Sequence, residues 1–165
     1  GVSKYSAMTC GRICYAGRPE KLISAMRKVM SQSTSNPCSV SQWAAVEALN
    51  GTQAFLPTRR AVYQERRDLV VAGLNAADGL TCATPEGAFY VYPSCADVIG
   101  KKTPSGTIIS NDRIFGDALL EDEKVAVVFG EAFGLSPAFR VSYATSTEAL
   151  QEALTRIQRF CASLV

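Results

Sequence analysis

Two cationic side chains near the start of the sequence, Lys4 and Arg12, are of types that can bind and activate a small anionic ligand. They lie eight residues apart, and residues 1–17 contain no acidic residue that could pair with either. A lysine amine is nucleophilic only when it is neutral, which burial or a neighbouring positive charge favours. A neutral lysine forms Schiff bases with aldehydes, and the planar guanidinium of arginine suits a phosphate. Pyridoxal phosphate carries both groups. The spacing alone favours a different interpretation, a lysine at a frayed terminus and an ordinary strand arginine.

Arg140 is a third candidate for ligand binding, in a segment whose residues alternate as in a β-strand. Phe139, Val141 and Tyr143 fall on one face of that strand, and Arg140 and Ser142 fall on the other. A solvent-facing arginine also explains this pattern, since most arginines are exposed.

The six cysteines and the absence of histidine restrict the chemistry further. No two cysteines form a C-x-x-C pair, which argues against a zinc site, and the lack of histidine excludes a histidine-based triad or general base. We expect the thiols to be buried and reduced, as in a cytoplasmic protein. They are Cys10, Cys14, Cys38, Cys82, Cys95 and Cys161.

The composition is that of a globular protein, with 47% hydrophobic and 19% charged residues. The net charge of +2 is too small to indicate binding to nucleic acid or to an acidic membrane surface. No apolar run is long enough to span a membrane, and no leader is recognisable. Because the sequence begins with Gly1 rather than methionine, we expect a processed product or a fragment.

The elements that must position these residues begin with a short strand at 12–17. Pro19 then predicts the start of a helix that the polar run 31–36 ends. A second helix is predicted at 39–50 and a long helix at about 52–77, whose charged residues form a solvated face. The apolar face of the first helix carries Leu22, Ile23, Met26, Val29 and Met30.

The pattern changes to period two after Gly79, which predicts strands at 80–84 and 88–92. A helix follows at 112–122, then a buried strand at 125–129 and a strand at 139–144. A capping box formed by Thr145 and Glu148 opens a terminal helix. The residues of that helix predicted to face the core are Leu150, Leu154, Ile157, Cys161 and Leu164. The pattern as a whole indicates an α/β chain.

Several stretches of the sequence carry a family resemblance when they are read together in their order. They are the segments 1–4, 7–9, 11–13, 33–39, 42–45, 85–93 and 139–145. Through them the chain resembles, over its whole length, the class I aminotransferases in their aspartate aminotransferase branch. The match looks like the carboxyl-terminal part of a bacterial enzyme that uses pyridoxal phosphate.

This resemblance implies a role for each candidate residue. Lys4 would hold the cofactor covalently and, once released, move a proton between the substrate Cα and the cofactor. Arg12 would bind the cofactor phosphate, and Arg140 would bind the substrate α-carboxylate and so orient Cα.

The sequence departs from the family pattern close to Arg12. The family usually has glycine where Cys10 and Cys14 stand, and this branch usually has tryptophan where Gly11 stands. Some aspartate aminotransferases also carry a substrate-binding arginine where this chain has Ser31. The preference for a dicarboxylic substrate therefore rests on the resemblance alone.

The resemblance also implies the architecture of a fold type I pyridoxal-phosphate transferase. Residues 1–50 would be the carboxyl-terminal piece of the large cofactor-binding domain, and residues 51–165 a small α/β domain with its long connecting helix. The substrates would be aspartate and 2-oxoglutarate, and the protein would be a cytoplasmic homodimer. No metal, nucleic acid or membrane partner is expected.

Two alternatives to this function stay open at this point. The protein could be an aminotransferase of another amino-acid specificity, for instance one that uses aromatic acceptors. It could also be a non-catalytic fragment that keeps only packing and association surfaces. We expect the 165 residues alone to be inactive, because the family's other cofactor-binding groups would lie upstream of Gly1.

Overall fold

Helices and connecting segments, without a strand, make up Gly1–Leu56, the first of two units into which the chain divides in this computed structural model. The structure describes all 165 residues. The helices of this unit are α1 (Val2–Tyr5), α2 (Glu20–Ser31) and α3 (Ser39–Asn50), and a 3₁₀ turn spans Thr9–Gly11. Pro19 directly precedes α2, because its fixed φ suits the entry to a helix.

A small apolar cluster holds the start of the chain against α3. Val2, Ile13 and Ala45 are buried together, and Met8 and Ala48 pack against them. The segment that carries Lys4 and Arg12 is therefore anchored near both ends, at Val2 and at Ile13.

The strand predicted at 12–17 is wrong. These residues have no sheet partner, and Arg12 itself has left-handed backbone angles, with φ 47° and ψ 40°. A strand is stable only beside hydrogen-bonded neighbours, and the first unit contains no other strand to pair with.

The apolar face predicted for α2 is largely exposed, and α3 is exposed along most of its length. No residue of α2 is buried, and in α3 only Ala45 is. Trp43 is 75% exposed. Helical periodicity identifies which face of a helix is apolar, but it does not supply the surface that covers it.

The second unit, Pro57–Val165, combines three helices with a small antiparallel sheet. The helices are α4 (Leu56–Asn75, which crosses the unit boundary), α5 (Asp112–Glu123) and α6 (Thr147–Ser163). The strands are β1 (Tyr90–Val91), β2 (Val128–Phe129) and β3 (Phe139–Ser142), in the order β1-β3-β2. In the register of the central strand β3, Val91 pairs with Val141 and Phe129 pairs with Phe139.

Three phenylalanines from α5, β3 and α6 form the centre of the main core. The ring of Phe115 stacks on that of Phe139 at 4.9 Å and meets that of Phe160 edge-on at 5.5 Å. The four residues of α6 predicted to face the core are buried, and so is the fifth predicted residue, Leu164, which directly follows the helix. The helix predicted at 112–122 is likewise confirmed within one residue.

Three predicted strands are much shorter than expected, and the predicted cap of α6 lies one residue away. The 88–92 strand keeps only Tyr90–Val91. The 80–84 strand reduces to a single bridge between Thr81 and Ser94. The 125–129 strand keeps only its last two residues, and Val128 is exposed rather than buried. The N-cap of α6 is Ser146, whose hydroxyl accepts from the amide of Ala149 at 3.2 Å. Thr145 and Ser146 are both good capping residues, so local sequence did not decide between them.

The cysteines are all free, but only half of them are buried. Cys82, Cys95 and Cys161 lie in the main core, and burial raises the pKa of Cys95 and of Cys161 to about 12 in each case. Cys10 and Cys14 are exposed, as is Cys38, so the prediction of buried thiols is wrong for these three. They belong to the first unit, which has little core of its own.

Cys38 lies directly before α3, where the first backbone amides of the helix face its thiol. Hydrogen bonds from the amides of Ser41 and then Val40 lower the pKa of Cys38. The chain has no helix that is both long enough and apolar enough to cross a membrane.

Candidate active site

Lys4 lies in α1, a single helical turn that depends on its neighbours for its position. Val2 is buried, and its carbonyl accepts from the amides of Ser6 at 3.2 Å and of Met8 at 3.4 Å. The hydroxyl of Tyr5 donates to the side-chain oxygen of Gln53, which ties the other end of the turn to the segment after α3. The backbone of Lys4 is thus held on both sides, while its side chain is exposed.

Arg12 follows the 3₁₀ turn Thr9–Gly11 and immediately precedes the buried Ile13. Its guanidinium is exposed and makes neither a hydrogen bond nor an ion pair with the protein. A Cβ at Gly11 would meet the Cε atom of Met8 at 3.5 Å, which is ordinary contact, so packing within the chain does not require glycine there. The two cysteines that depart from the family pattern, Cys10 and Cys14, place exposed thiols on either side of Gly11–Arg12.

Lys4 and Arg12 therefore belong to one folded segment, in which α1 contacts the 3₁₀ turn before Arg12. An amine that can form a Schiff base with an aldehyde, and an exposed guanidinium that can bind a phosphate, are the two groups that pyridoxal phosphate requires. The residues present in this segment fit pyridoxal phosphate in their chemistry.

Arg140 lies in the second unit, on the central strand β3. Its side chain is half-buried, and the central carbon of its guanidinium lies 4.5 Å from the ring centre of Phe133 and 5.4 Å from that of Tyr90. None of its N–H groups donates to a protein acceptor, and it has no carboxylate partner. The alternation predicted for the strand is seen at Phe139 and Tyr143, which are both buried.

The loop that carries Phe133 is fixed by two side chains from the neighbouring elements. The hydroxyl of Tyr92 donates to the carbonyls of Gly130 at 3.1 Å and Leu135 at 3.3 Å. A carboxylate oxygen of Asp112 accepts from the amide of Glu131 at 3.0 Å. Burial raises the pKa of Tyr92, the negative charge of Asp112 raises it further, and the positive charge of Arg140 opposes both effects.

Sequence reasoning missed the aromatic residues around Arg140. Tyr90 could have been found, because alternation places it and Arg140 on the same face of neighbouring strands. Its partner in the register is Ser142, so Arg140 is its diagonal neighbour. Phe133 lies in an irregular segment, for which neither periodicity nor motif predicts a contact with Arg140.

Comparison with known proteins gives one consistent result. The model of the family described as aminotransferase class I and II matches residues 1–157. The aspartate/prephenate aminotransferase of Cereibacter sphaeroides is 60% identical over 164 residues, which are 99% of this chain and 41% of that protein. The aspartate aminotransferase of Rhizobium meliloti is 61% identical over 161 residues, which are 98% of this chain and 39% of that protein.

Solved structures agree with these matches. The crystal structure of the aspartate aminotransferase from Rhizobium meliloti superposes with a TM-score of 0.96 at 60% identity, over 100% of this chain and 41% of that one. An alanine aminotransferase from Pyrococcus furiosus superposes with a TM-score of 0.84 at 28% identity, over 98% of this chain and 41% of that one. The chain thus spans about two fifths of the length of the relatives it matches.

Proposed function

Because the chain belongs to the class I and II aminotransferase family, whose members use pyridoxal phosphate, we propose that the whole protein transfers the amino group of aspartate to 2-oxoglutarate. The family resemblance and the fold type predicted from the sequence are confirmed by these matches. The boundary predicted near residue 50 between a large and a small domain stays a prediction, as do the roles of the three site residues.

The observation that carries the proposal is the environment of Arg140. A half-buried guanidinium loses part of its hydration, and buried polar groups are nearly always hydrogen-bonded. Arg140 has aromatic contacts but no acceptor within this chain, so its N–H donors are available to a ligand. A carboxylate matches the fork of N–H donors and can bind through two parallel hydrogen bonds. Every amino acid and every 2-oxo acid carries such a carboxylate next to its reacting carbon.

Lys4 and Arg12 supply the remaining groups of the proposed mechanism. Bound pyridoxal phosphate supplies an electron sink for the electrons that remain at the substrate Cα when its proton leaves. The Lys4 amine would bond to the cofactor aldehyde in the resting protein and, once released, take the proton from Cα and return it on the cofactor side. Arg12 would bind the phosphate as a charge-assisted donor, and Arg140 would fix the α-carboxylate so that Cα keeps one orientation.

The names of the relatives support aspartate as a substrate and indicate one further candidate substrate. Aspartate appears in the names of relatives that are about 60% identical, and prephenate appears beside it for the Cereibacter sphaeroides protein. Prephenate is therefore a second candidate partner in the amino-group exchange. A homodimer is proposed from the family resemblance only.

The proposal is tested in the full-length protein loaded with cofactor. Lys4→Ala should abolish transamination while leaving the fold intact by circular dichroism, and turnover of aspartate near the wild-type rate would contradict the role of Lys4. Arg140→Ala should raise KM and lower kcat for every amino acid alike. The loss should be on the order of 3 kcal/mol, or about a hundredfold in kcat/KM, because a charge-assisted contact is removed.

Arg113→Ala is the matched control, since Arg113 also lies over an aromatic ring, that of Phe129 at 5.4 Å, and has no proposed role. It should leave the kinetics unchanged. A loss in Arg140→Ala that is confined to dicarboxylic substrates would instead assign Arg140 to the side-chain carboxylate. Comparing aspartate, aromatic and aliphatic amino donors in the unaltered protein distinguishes the proposed specificity from another aminotransferase specificity.

A further inference from the structure

We propose that Phe133 is a positioning residue, which holds the Arg140 guanidinium in place to receive the substrate carboxylate. This inference rests on the proposed function of Arg140. It concerns a residue that does not itself touch the carboxylate, and it predicts an effect that is transmitted through Arg140 alone.

The contact between the two side chains can orient the guanidinium of Arg140 without using any of its N–H donors. The guanidinium carbon of Arg140 lies 4.5 Å from the centre of the Phe133 ring, closer than the 5.4 Å to the Tyr90 ring. An aromatic face attracts the cation through its quadrupole and accepts no conventional hydrogen bond. All N–H donors of Arg140 therefore stay available for a planar, bidentate acceptor. An unrestrained arginine side chain loses substantial rotamer entropy when it binds a ligand. Because the Phe133 ring already restricts Arg140, part of that loss occurs before the ligand binds.

Burial in the hydrophobic core does not explain the position of the Phe133 ring beside Arg140. Its side chain is 51% exposed and belongs to neither apolar cluster of the chain. An exposed phenylalanine contributes little to folding through burial, so its fixed position needs another reason. Apart from Arg140, its ring meets the edge of the Tyr92 ring at 6.3 Å.

The backbone beneath Phe133 is held more firmly than its exposure suggests. Gly130 donates to the carbonyl of Ala138 at 2.7 Å, and the amide of Leu135 donates back to Gly130 at 3.2 Å. A Cβ on Gly130 would lie 2.0 Å from the carbonyl oxygen of Leu135 and 2.8 Å from the hydroxyl of Tyr92, so this turn closes around a glycine. Asp112, which is 1% exposed, adds the bond to Glu131 described above. These contacts fix the 3₁₀ turn Gly130–Phe133 and hence the place of its last ring.

The test compares Phe133→Leu and Phe133→Tyr in the full-length protein loaded with cofactor, each with Arg140 intact and with Arg140→Ala. Phe133→Leu removes the aromatic face, and it should raise KM for aspartate by about twofold to thirtyfold, the range of one cation–π contact. The value of kcat should change less, because the carboxylate contact exists both before and during the reaction. Phe133→Tyr keeps the face and should restore a KM close to that of the unaltered protein.

A binding measurement provides a readout that does not depend on turnover. The dissociation constant of succinate, an unreactive dicarboxylate, should rise with Phe133→Leu by a factor similar to the change in KM. Leu135→Ala is the matched control, since Leu135 lies on the same loop and is 60% exposed, but its side chain has no aromatic face to attract Arg140. It should leave both constants unchanged. Phe133→Met is a second non-aromatic variant for use if Phe133→Leu lowers the melting temperature.

The decisive result is the effect of Phe133→Leu when Arg140 is already alanine. If Phe133 acts through Arg140, the second substitution changes KM no further; an equal loss in both backgrounds would overturn the inference. An unchanged KM in Phe133→Leu, together with a large loss in Arg140→Ala, would also overturn the inference and leave the proposed function intact. An unchanged KM in Arg140→Ala would refute the proposed role of Arg140 and, with it, the premise of this inference.

Discussion

Gly73 in helix α4 packs so closely against helix α6 that a single added methyl group should destabilise the second unit. A Cβ at this position would lie 2.7 and 2.8 Å from the two methyl carbons of Leu154 and 3.0 Å from its Cγ. Leu154 is 6% exposed and part of the main core, so its methyl groups would have to shift against other buried side chains. The carbonyl of Gly73 also accepts from the side-chain amide of Gln158 at 2.8 Å, which resists separation of the helices.

Two effects of opposite sign decide the outcome of Gly73→Ala. Replacing glycine by alanine in a helix stabilises it by up to about 1 kcal/mol. Overpacking a well-filled core costs about 1–3 kcal/mol, and three contacts at or below 3.0 Å favour the upper part of that range. We therefore expect Gly73→Ala to lower the free energy of unfolding by about 1–2 kcal/mol.

The matched control is Gly116→Ala in the interior of helix α5. A Cβ there would meet only a methyl carbon of Val127 at 3.5 Å, which is ordinary contact, so the helix propensity should prevail. Gly116→Ala should raise the free energy of unfolding by up to about 1 kcal/mol. Urea denaturation followed by far-ultraviolet circular dichroism measures the free energy of unfolding of both variants. The dependence of that free energy on urea concentration, the m-value, should be the same in both. If Gly73→Ala proves as stable as Gly116→Ala, the packing argument is refuted.

Three further predictions concern the cap of α6, the exposed thiol before α3 and a surface ion pair. Ser146→Ala should lower the free energy of unfolding by about 1 kcal/mol, whereas Thr145→Ala should be nearly neutral, in urea denaturation. Cys38 should be alkylated by iodoacetamide at lower pH than an ordinary thiol in a model peptide, because its lowered pKa yields thiolate at lower pH, and peptide mapping measures this. Hydrogen bonding from Arg159 lowers the pKa of Glu123, so their pair stabilises the protein above the usual carboxyl pKa and ceases to do so as the pH falls through the lowered value. Arg159→Ala should therefore reduce the melting temperature at neutral pH but not in acid, where Glu123 is protonated; an equal reduction at both would contradict this.

The helices of the chain were largely predictable from the sequence, because their signals are local. The turn residues and periodicity place α3 and α5 within one residue, and the apolar pattern of α6 names the residues that enter the core. The strands were predictable only in outline. Their length depends on hydrogen-bonded neighbours distant in sequence, which is why the segment 12–17 forms no strand and the segment 125–129 forms only a short one.

The candidate site was predictable where a side chain brings its own chemistry. Lys4, Arg12 and Arg140 were proposed because their side chains suit an aldehyde, a phosphate and a carboxylate and because the motifs around them resemble the family; their roles stay predictions. Phe133 and Tyr90 carry no such chemistry of their own and matter only through their contact with Arg140, which Phe133 reaches through the fold of an irregular loop. No periodicity predicts such a contact.

The exposed position of Trp43 on α3 has a consequence for spectroscopy. It is the sole tryptophan of the sequence, and no tryptophan lies in the second unit. With an indole that is 75% exposed, the 165-residue chain should emit at the long wavelengths of a hydrated fluorophore even when it is fully folded. Unfolding of the second unit should then leave that emission almost unchanged, while any surface that covers α3 should shift it to the blue. The intrinsic fluorescence of this chain is therefore a reporter of what touches the first unit.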